Sequence, residues 1–205
     1  MLREIGHRCE GVRDVSKKLN IGCGRNILSE WINVDYAVLP GVDVVYDLER
    51  CAEAPLPLEN DSVDEFLLSH VIEHLHHTLP LMQELHRVAK AGAKAVIRVP
   101  HGASDDAWED PTHLRGYFQS SFGYFSQPFY WRADYNYRGD WQVEQLHLIV
   151  ARQVYAGMSA AAIMKEVANR RNVVQEMVAD LRAVKPIRQP LRELQVPPRI
   201  EILLA

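Results

Sequence analysis

The chain has 205 residues, 47% apolar and 24% charged, with a formal net charge of −4. That length and balance suit one α/β domain with a sizeable core, and the mildly acidic charge argues against a nucleic-acid partner. No run of about 18 apolar residues is present, so no membrane partner is expected.

The stretch from Met1 to Arg13 mixes charges with few apolar residues and has no signal-peptide core. Cys9, Cys23 and Cys51 are odd in number and lack metal-type spacing, which points to a reduced, cytoplasmic protein. Along the chain, runs rich in Val and Ile at 19–24, 31–35, 42–48, 63–70 and 93–100 read as strands. Several are apolar on successive residues, as strands buried on both faces should be. Val71, Leu75, Leu79, Met82, Leu85 and Val88 carry helical spacing, and His74, His76 and His77 read as a helix end. Only six residues, 25–30, link the first two strands, although a parallel crossover normally needs about a dozen.

Residues 101–140 read as a loop region on the substrate side. Eleven of the chain's seventeen aromatics fall between Tyr117 and Trp141, and a short helix is expected at 119–125. Aromatics there either pack on the sheet edge or wall a pocket, and the two are compatible. Residues 141–150 read as a strand. The span 158–184 lacks Gly after Met158 and lacks Pro, and its helical spacing (Ile163, Val167, Val174, Met177, Val178, Leu181) predicts an amphipathic helix pair. Pro186, Pro190, Pro197 and Pro198 mark a linker, and 199–205 reads as a final strand. The expectation is a single domain over 1–205. It is α/β and Rossmann-like, a doubly wound, mostly parallel seven-stranded sheet with a helical insertion at 155–186 before the last strand. Apolar helices in that insertion could pair two subunits as a homodimer.

The first strand runs directly into Gly22-Cys23-Gly24. At the carboxyl end of a parallel strand, a glycine turn lets the backbone approach a ligand. Ile27 stands where a dinucleotide fingerprint needs its third glycine, and no P-loop Gly-Lys-Ser/Thr follows. The second strand ends in Asn33-Val34-Asp35-Tyr36 and the third in Tyr46-Asp47-Leu48-Glu49. A carboxylate at the end of the second strand can accept both ribose hydroxyls, though Asp is also a common turn residue. Then follow Leu56-Pro57-Leu58, Asp61-Ser62-Val63-Asp64 and Ser69-His70-Val71-Ile72-Glu73-His74-Leu75.

This ordered set, over residues 19 to 100, resembles the class I S-adenosylmethionine-dependent methyltransferases, in the subgroup whose fourth strand runs into an E-H helix. The resemblance implies S-adenosylmethionine as cofactor and S-adenosylhomocysteine as product. It places Gly22, Cys23 and Gly24 at the methionine and ribose parts and Asp35 at the ribose, and its neighbour Tyr36 is counted among the cofactor-binding residues. Asp47 and Leu48 go to the adenine, and Ser69 and His70 to the methionine end. The short 25–30 link departs from the larger family.

Methyl transfer from a sulfonium is an in-line displacement that needs alignment, worth about 7–11 kcal/mol, and for some acceptors a general base. The candidates for that base, His101 and His113, follow the fifth strand. Each also has a structural reading, and with Asp105 and Asp106 a metal-binding one, although no metal is expected. The expected function is methyl transfer to an oxygen or nitrogen of a small-molecule substrate. Protein or RNA methylation, and a non-catalytic assembly partner, are the alternatives.

Overall fold

The computed structural model describes residues 16–205. The expectations on the amino-terminal stretch and on Cys9 lie outside the described residues.

The core of the molecule is one sheet. Its strands are β1 (Lys18–Ile21), β2 (Ile32–Asp35), β3 (Val44–Val45), β4 (Val63–Ser69), β5 (Ala89–Pro100), β6 (Trp141–Val150), β7 (Val174–Ala183) and β8 (Arg199–Leu204). They lie in the order β3-β2-β1-β4-β5-β7-β6-β8. All neighbours pair in parallel except β7, which runs antiparallel to both β5 and β6. The Rossmann-like, mostly parallel α/β fold is the expected one, with eight strands instead of seven.

The added strand is the main correction. Residues 174–183 form β7 in the interior of the sheet, not half of a helical insertion. Only α3 (Arg152–Tyr155) and α4 (Ala160–Asn169) are helical between β6 and β7. Met177, Ala179, Leu181 and Ala183 alternate with half-buried Glu176, Val178, Asp180 and Arg182, which is the period of a strand with one buried face. A helix-to-helix dimer contact through 174–183 therefore has no helix to use. In the aromatic segment the short helix expected at 119–125 is a 3-10 turn, Ser121–Phe125, and a second follows at Gln127–Trp131. The one-turn α2 (Asp106–Glu109) precedes it.

Register places Leu19, Ile21, Phe66, Leu68, Ala95, Ile97, Ala179, Leu181, Leu146 and Leu148 on one face, and all are buried. Helix α1 (Thr78–Val88) joins this core through Leu81, Met82, Leu85 and Val88. The Trp141 indole N–H donates to the Met82 carbonyl at 2.9 Å, which ties α1 to β6. The opposite face carries Lys18, Glu65, Lys94, Arg98, Glu176, Asp180 and Arg182, half-buried or exposed. Their charges pair across strands, Lys18 with Glu65 at 3.1 Å and Arg98 with Glu176 at 2.6 Å.

The link from β1 to β2 contains no helix. A polar staple takes its place. Buried Asn20 donates through Nδ2 to the Asn26 carbonyl at 2.7 Å and to Asn33 Oδ1 at 3.0 Å. Asn33 Oδ1 also accepts from the Leu28 N–H at 3.0 Å, and its Nδ2 donates to the carbonyls of Leu28 and Trp31, each at 3.1 Å. Asp43 accepts from the Asn33 backbone N–H at 2.8 Å. Losing the Asn33 amide strands several buried groups at once, each worth about 1–3 kcal/mol. Asn33→Ala is therefore expected to lower stability by about 2–4 kcal/mol in urea denaturation. A loss below about 0.5 kcal/mol, the size of an ordinary surface change, would remove the staple from this account.

Candidate functional site

The turn after β1 is built for close approach. Gly22 has φ +62° and Gly24 φ +52°, both left-handed. A Cβ on Gly22 would stand 2.6 Å from Val71 Cγ2, whereas one on Gly24 would meet nothing within 4 Å. The Gly24 N–H donates to Asp35 Oδ2 at 2.7 Å, and the Ala37 N–H to Asp35 Oδ1 at 2.9 Å. These two bonds fix the carboxylate plane. A carboxylate has about four acceptor positions, so two remain for a ligand. Asp47 opens a 3-10 turn, Leu48–Arg50, and accepts from the Glu49 N–H at 3.0 Å.

These strand ends enclose a cavity of about 530 Å³, lined by Gly22, Asp35, Tyr36, Asp47, Leu48, Glu49, His70, Val71, His74, Leu75 and Thr112. Its size lies within the range of small-ligand sites. Six residues expected at the cofactor, Gly22, Asp35, Tyr36, Asp47, Leu48 and His70, thus meet in one cavity. Cys23, Gly24 and Ser69 are not among its lining residues. Cys23 is buried, and Gly24 acts through its N–H on Asp35.

His70 follows β4 with φ +55°. Its Nε2 lies 2.8 Å from Glu176 Oε1, and Arg98 holds the other Glu176 oxygen at 2.6 Å. The hydrogen bond to Glu176, then the proximity of Glu73, raise the His70 imidazole to about 9 against burial. Burial pulls the Glu176 carboxyl up, but the bonds from His70 and Arg98 prevail and hold it at about 2.

The E-H segment is a 3-10 turn, Ile72–His74, and α1 begins only at Thr78. His76 and His77 therefore sit before the helix, not at its end. Their backbone N–H groups donate to Glu49 Oε1 and Oε2 at 2.7 and 3.0 Å. Burial raises the Glu49 carboxyl, yet these two bonds leave it below its ordinary value. Glu49 was not singled out by the sequence. Its only signal was adjacency to Asp47 and Leu48, while its partner lies 27 positions away.

The two histidines proposed as bases part company. His101 is buried, its Nδ1 accepts from the Ala103 N–H at 3.2 Å, and burial lowers its pKa. It lines a second cavity with Phe118, Gln119 and the α4 residues Met164 and Val167. His101 and His113 are not among the residues lining the cavity that contains Asp35. His113 lies beside it, its ring 4.6 Å from that of His74. Asp105 is occupied elsewhere, paired to Arg171 at 2.6 Å and Asn172 at 2.8 Å.

Residues 19–97 match the family model described as a methyltransferase domain. That span contains the glycine turn, Asp35, Asp47 and the His70–His74 segment. No curated protein matches the chain in sequence. Among solved structures, a SAM-dependent methyltransferase from Archaeoglobus fulgidus is similar at 17% identity and TM-score 0.53, over 82% of this chain and 86% of that one. One from Aquifex aeolicus gives 16% and 0.50, covering 85% of each chain. One from Thermotoga maritima, described as a possible histamine N-methyltransferase, gives 14% and 0.53, covering 82% of each. The structures show the fold. The domain match supports methyltransferase activity, that of an enzyme. Among the described residues no helix is long and apolar enough to cross a membrane.

The turn geometry separates the two glycines. Gly22→Ala meets left-handed strain and Val71 together, while Gly24→Ala meets strain alone, about 1–2 kcal/mol. Thermal melts and titrations with S-adenosylhomocysteine should show the Gly22 variant clearly the more damaged. Equal losses would contradict this geometry. Glu176 carries a pH signature. Its folded pKa lies below the ordinary 4.5, so its contribution is present above that pH and is lost as pH falls toward 2. Glu176→Gln should therefore be less stable than wild type at pH 7, with the gap closing as pH falls below about 4. A gap independent of pH would rule this out.

Proposed function

We propose that the chain transfers the methyl group of S-adenosylmethionine to an oxygen or nitrogen of a small-molecule acceptor. The observation that carries this reading is the single cavity of about 530 Å³ in which Gly22, Asp35, Asp47, Leu48 and His70 converge from successive strand ends. In open α/β sheets that crevice is the ligand site.

The residues fit the cofactor's chemistry. Asp35 keeps two acceptor positions for the ribose hydroxyls after binding the Gly24 and Ala37 N–H groups. Asp47, exposed at its turn, and buried Leu48 suit a base with one polar edge and apolar faces. Gly22, without a side chain, lets Val71 pack directly against the turn. When bound, the sulfonium supplies the methyl carbon: an acceptor lone pair forms the new bond, the carbon–sulfur pair passes to sulfur, and the acceptor's proton is released. What the chain adds is alignment and exclusion of water.

The acceptor side falls to residues 110–118. Thr112 lines the cavity, and the Leu114 N–H donates to the Glu73 carbonyl at 2.8 Å, seating this loop on the E-H turn. Tyr117 closes it from behind, its O–H donating to the Ile72 carbonyl at 3.1 Å. A second cavity of about 380 Å³, walled by Tyr117, Phe118, Tyr124 and Tyr130, adjoins the same loop and would accept a planar or apolar portion of the acceptor. His101 opens on a different cavity, while His113 lies beside the one that contains Asp35.

Calorimetric titration with S-adenosylhomocysteine tests the reading. Wild type is expected to bind, and Asp35→Ala to bind at least about tenfold more weakly, 1.4 kcal/mol by affinity arithmetic. Asp35→Asn, which keeps one acceptor oxygen for the turn, should fold like wild type and still lose affinity. Absence of binding by the wild type at millimolar ligand would overturn the proposal.

A further inference from the structure

We propose that Glu73, His74 and His113 form a binding site for a divalent transition-metal cation at the edge of the cofactor cavity. One donor atom from each lies within 4.8 Å of the others. Two imidazoles and one carboxylate are a donor set suited to zinc or iron(II), not to magnesium or calcium.

The carboxylate is the telling member. Glu73 is 1% exposed, and neither of its oxygens has a hydrogen-bond partner among the described residues. His70 Nδ1 stands 3.3 Å from Oε1 as an ion pair, which leaves Oε2 without a polar partner among the described residues. A buried carboxylate oxygen left in this way is costly unless a further cation or donor faces it. Two other carboxylates at the cavity each accept from two N–H groups, Asp35 and Glu49.

The histidines are held with their remaining nitrogens bare. The His113 Nδ1 lies 3.1 Å from the Ala107 carbonyl oxygen. A carbonyl only accepts, so Nδ1 carries the proton and Nε2 keeps a lone pair. Thr112 Oγ1 donates to Asp110 Oδ1 at 2.6 Å, so it accepts from His74 Nδ1 at 2.9 Å. His74 Nε2 is then also a lone pair. Each ring thus has an oxygen partner on Nδ1 and, among the described residues, no hydrogen bond at Nε2, the outer-shell arrangement that orients metal-ligating histidines. Asp110 adds negative charge 3.9 Å from His113 Nε2.

Bond lengths to zinc are about 2.0–2.2 Å, so a bound cation would draw the three donors inward by roughly an ångström. Three protein ligands leave at least one position open. Of the three ligands His74 lines the cofactor cavity beside Thr112, so the site borders that cavity. On the methyltransferase reading, an acceptor hydroxyl bound there would lose its proton to water more readily, and its oxygen lone pair would then attack the methyl carbon. The site itself does not depend on that reading.

The test uses the full chain, stripped with a chelator and titrated with zinc chloride by calorimetry. Wild type is expected to take up one equivalent. Glu73→Gln and His113→Ala should each weaken zinc binding at least tenfold while S-adenosylhomocysteine affinity stays within about twofold. Circular dichroism checks that each variant folds, and if Glu73→Gln does not, His113→Ala decides. A wild type that binds S-adenosylhomocysteine but no zinc would overturn the metal site and leave the methyltransferase reading standing. Zinc uptake without S-adenosylhomocysteine binding would do the reverse. Zinc bound equally well by wild type and both variants would place the cation elsewhere and sink the proposal.

Discussion

The arrangement rests on the amide of Asn33. Two parallel strands must be joined by a chain that returns along the whole strand, and a helix normally supplies that return. Here the turn from β1 to β2 has ten residues and no helix. The Asn33 side chain, with Asn20 beside it, satisfies the backbone groups that a helix would have satisfied internally. A buried polar network of this kind is stabilising only when each member is paired, and Asn33 uses both its oxygen and its nitrogen. The consequence for the site is direct. β1 and β2 stay in register, Ile21 opposite Val34, so the glycine turn after one strand lies beside Asp35 at the end of the other. The Gly24–Asp35 hydrogen bond is the product of that register.

The charged face of the sheet belongs to the same economy of structure. β5, β7 and β6 bury one face completely and leave the other with Lys94, Arg98, Glu176, Asp180 and His147. These are not scattered surface charges. His147 Nε2 meets Asp180 at 2.8 Å, and Arg98 and His70 share Glu176. Cross-strand opposite charges stabilise a sheet modestly, by about 0.2–1 kcal/mol a pair. The Glu176 group does more, because it anchors His70, which lines the cavity at the strand ends. A strand near the middle of the sheet thus reaches the site through one carboxylate.

Much of this was legible in the chain, and the failures have physical reasons. The glycine turn, Asp35, Asp47 and Leu48 are strand-end residues whose positions follow from local sequence, and they converge as expected. β7 was misread because Val174, Met177, Val178 and Leu181 satisfy helical spacing, while Met177, Ala179, Leu181 and Ala183 satisfy a period of two. The two patterns share residues, and periodicity alone cannot separate them. The break at Asn172, with φ +57°, separates α4 from β7 and was the available clue. Glu49, Thr112 and Glu73 were beyond reach for another reason. Their roles depend on contacts with residues tens of positions away, which only the folded chain brings together.

The stretch from His70 to His77 is where these long-range contacts concentrate. Helical spacing suggested a continuous helix, yet left-handed His70 and the 3-10 turn at Ile72–His74 turn the chain before α1 begins. That irregularity gives the segment backbone groups to share. Glu49 binds the N–H groups of His76 and His77, Leu114 donates to the Glu73 carbonyl, and Arg115 reaches the His76 carbonyl at 2.9 Å. A regular helix would have used most of these groups internally. The wall bearing Asp47 and Leu48 and the loop bearing Thr112 and His113 are therefore fastened to the same eight residues. Both halves of the cavity thus share one anchoring segment.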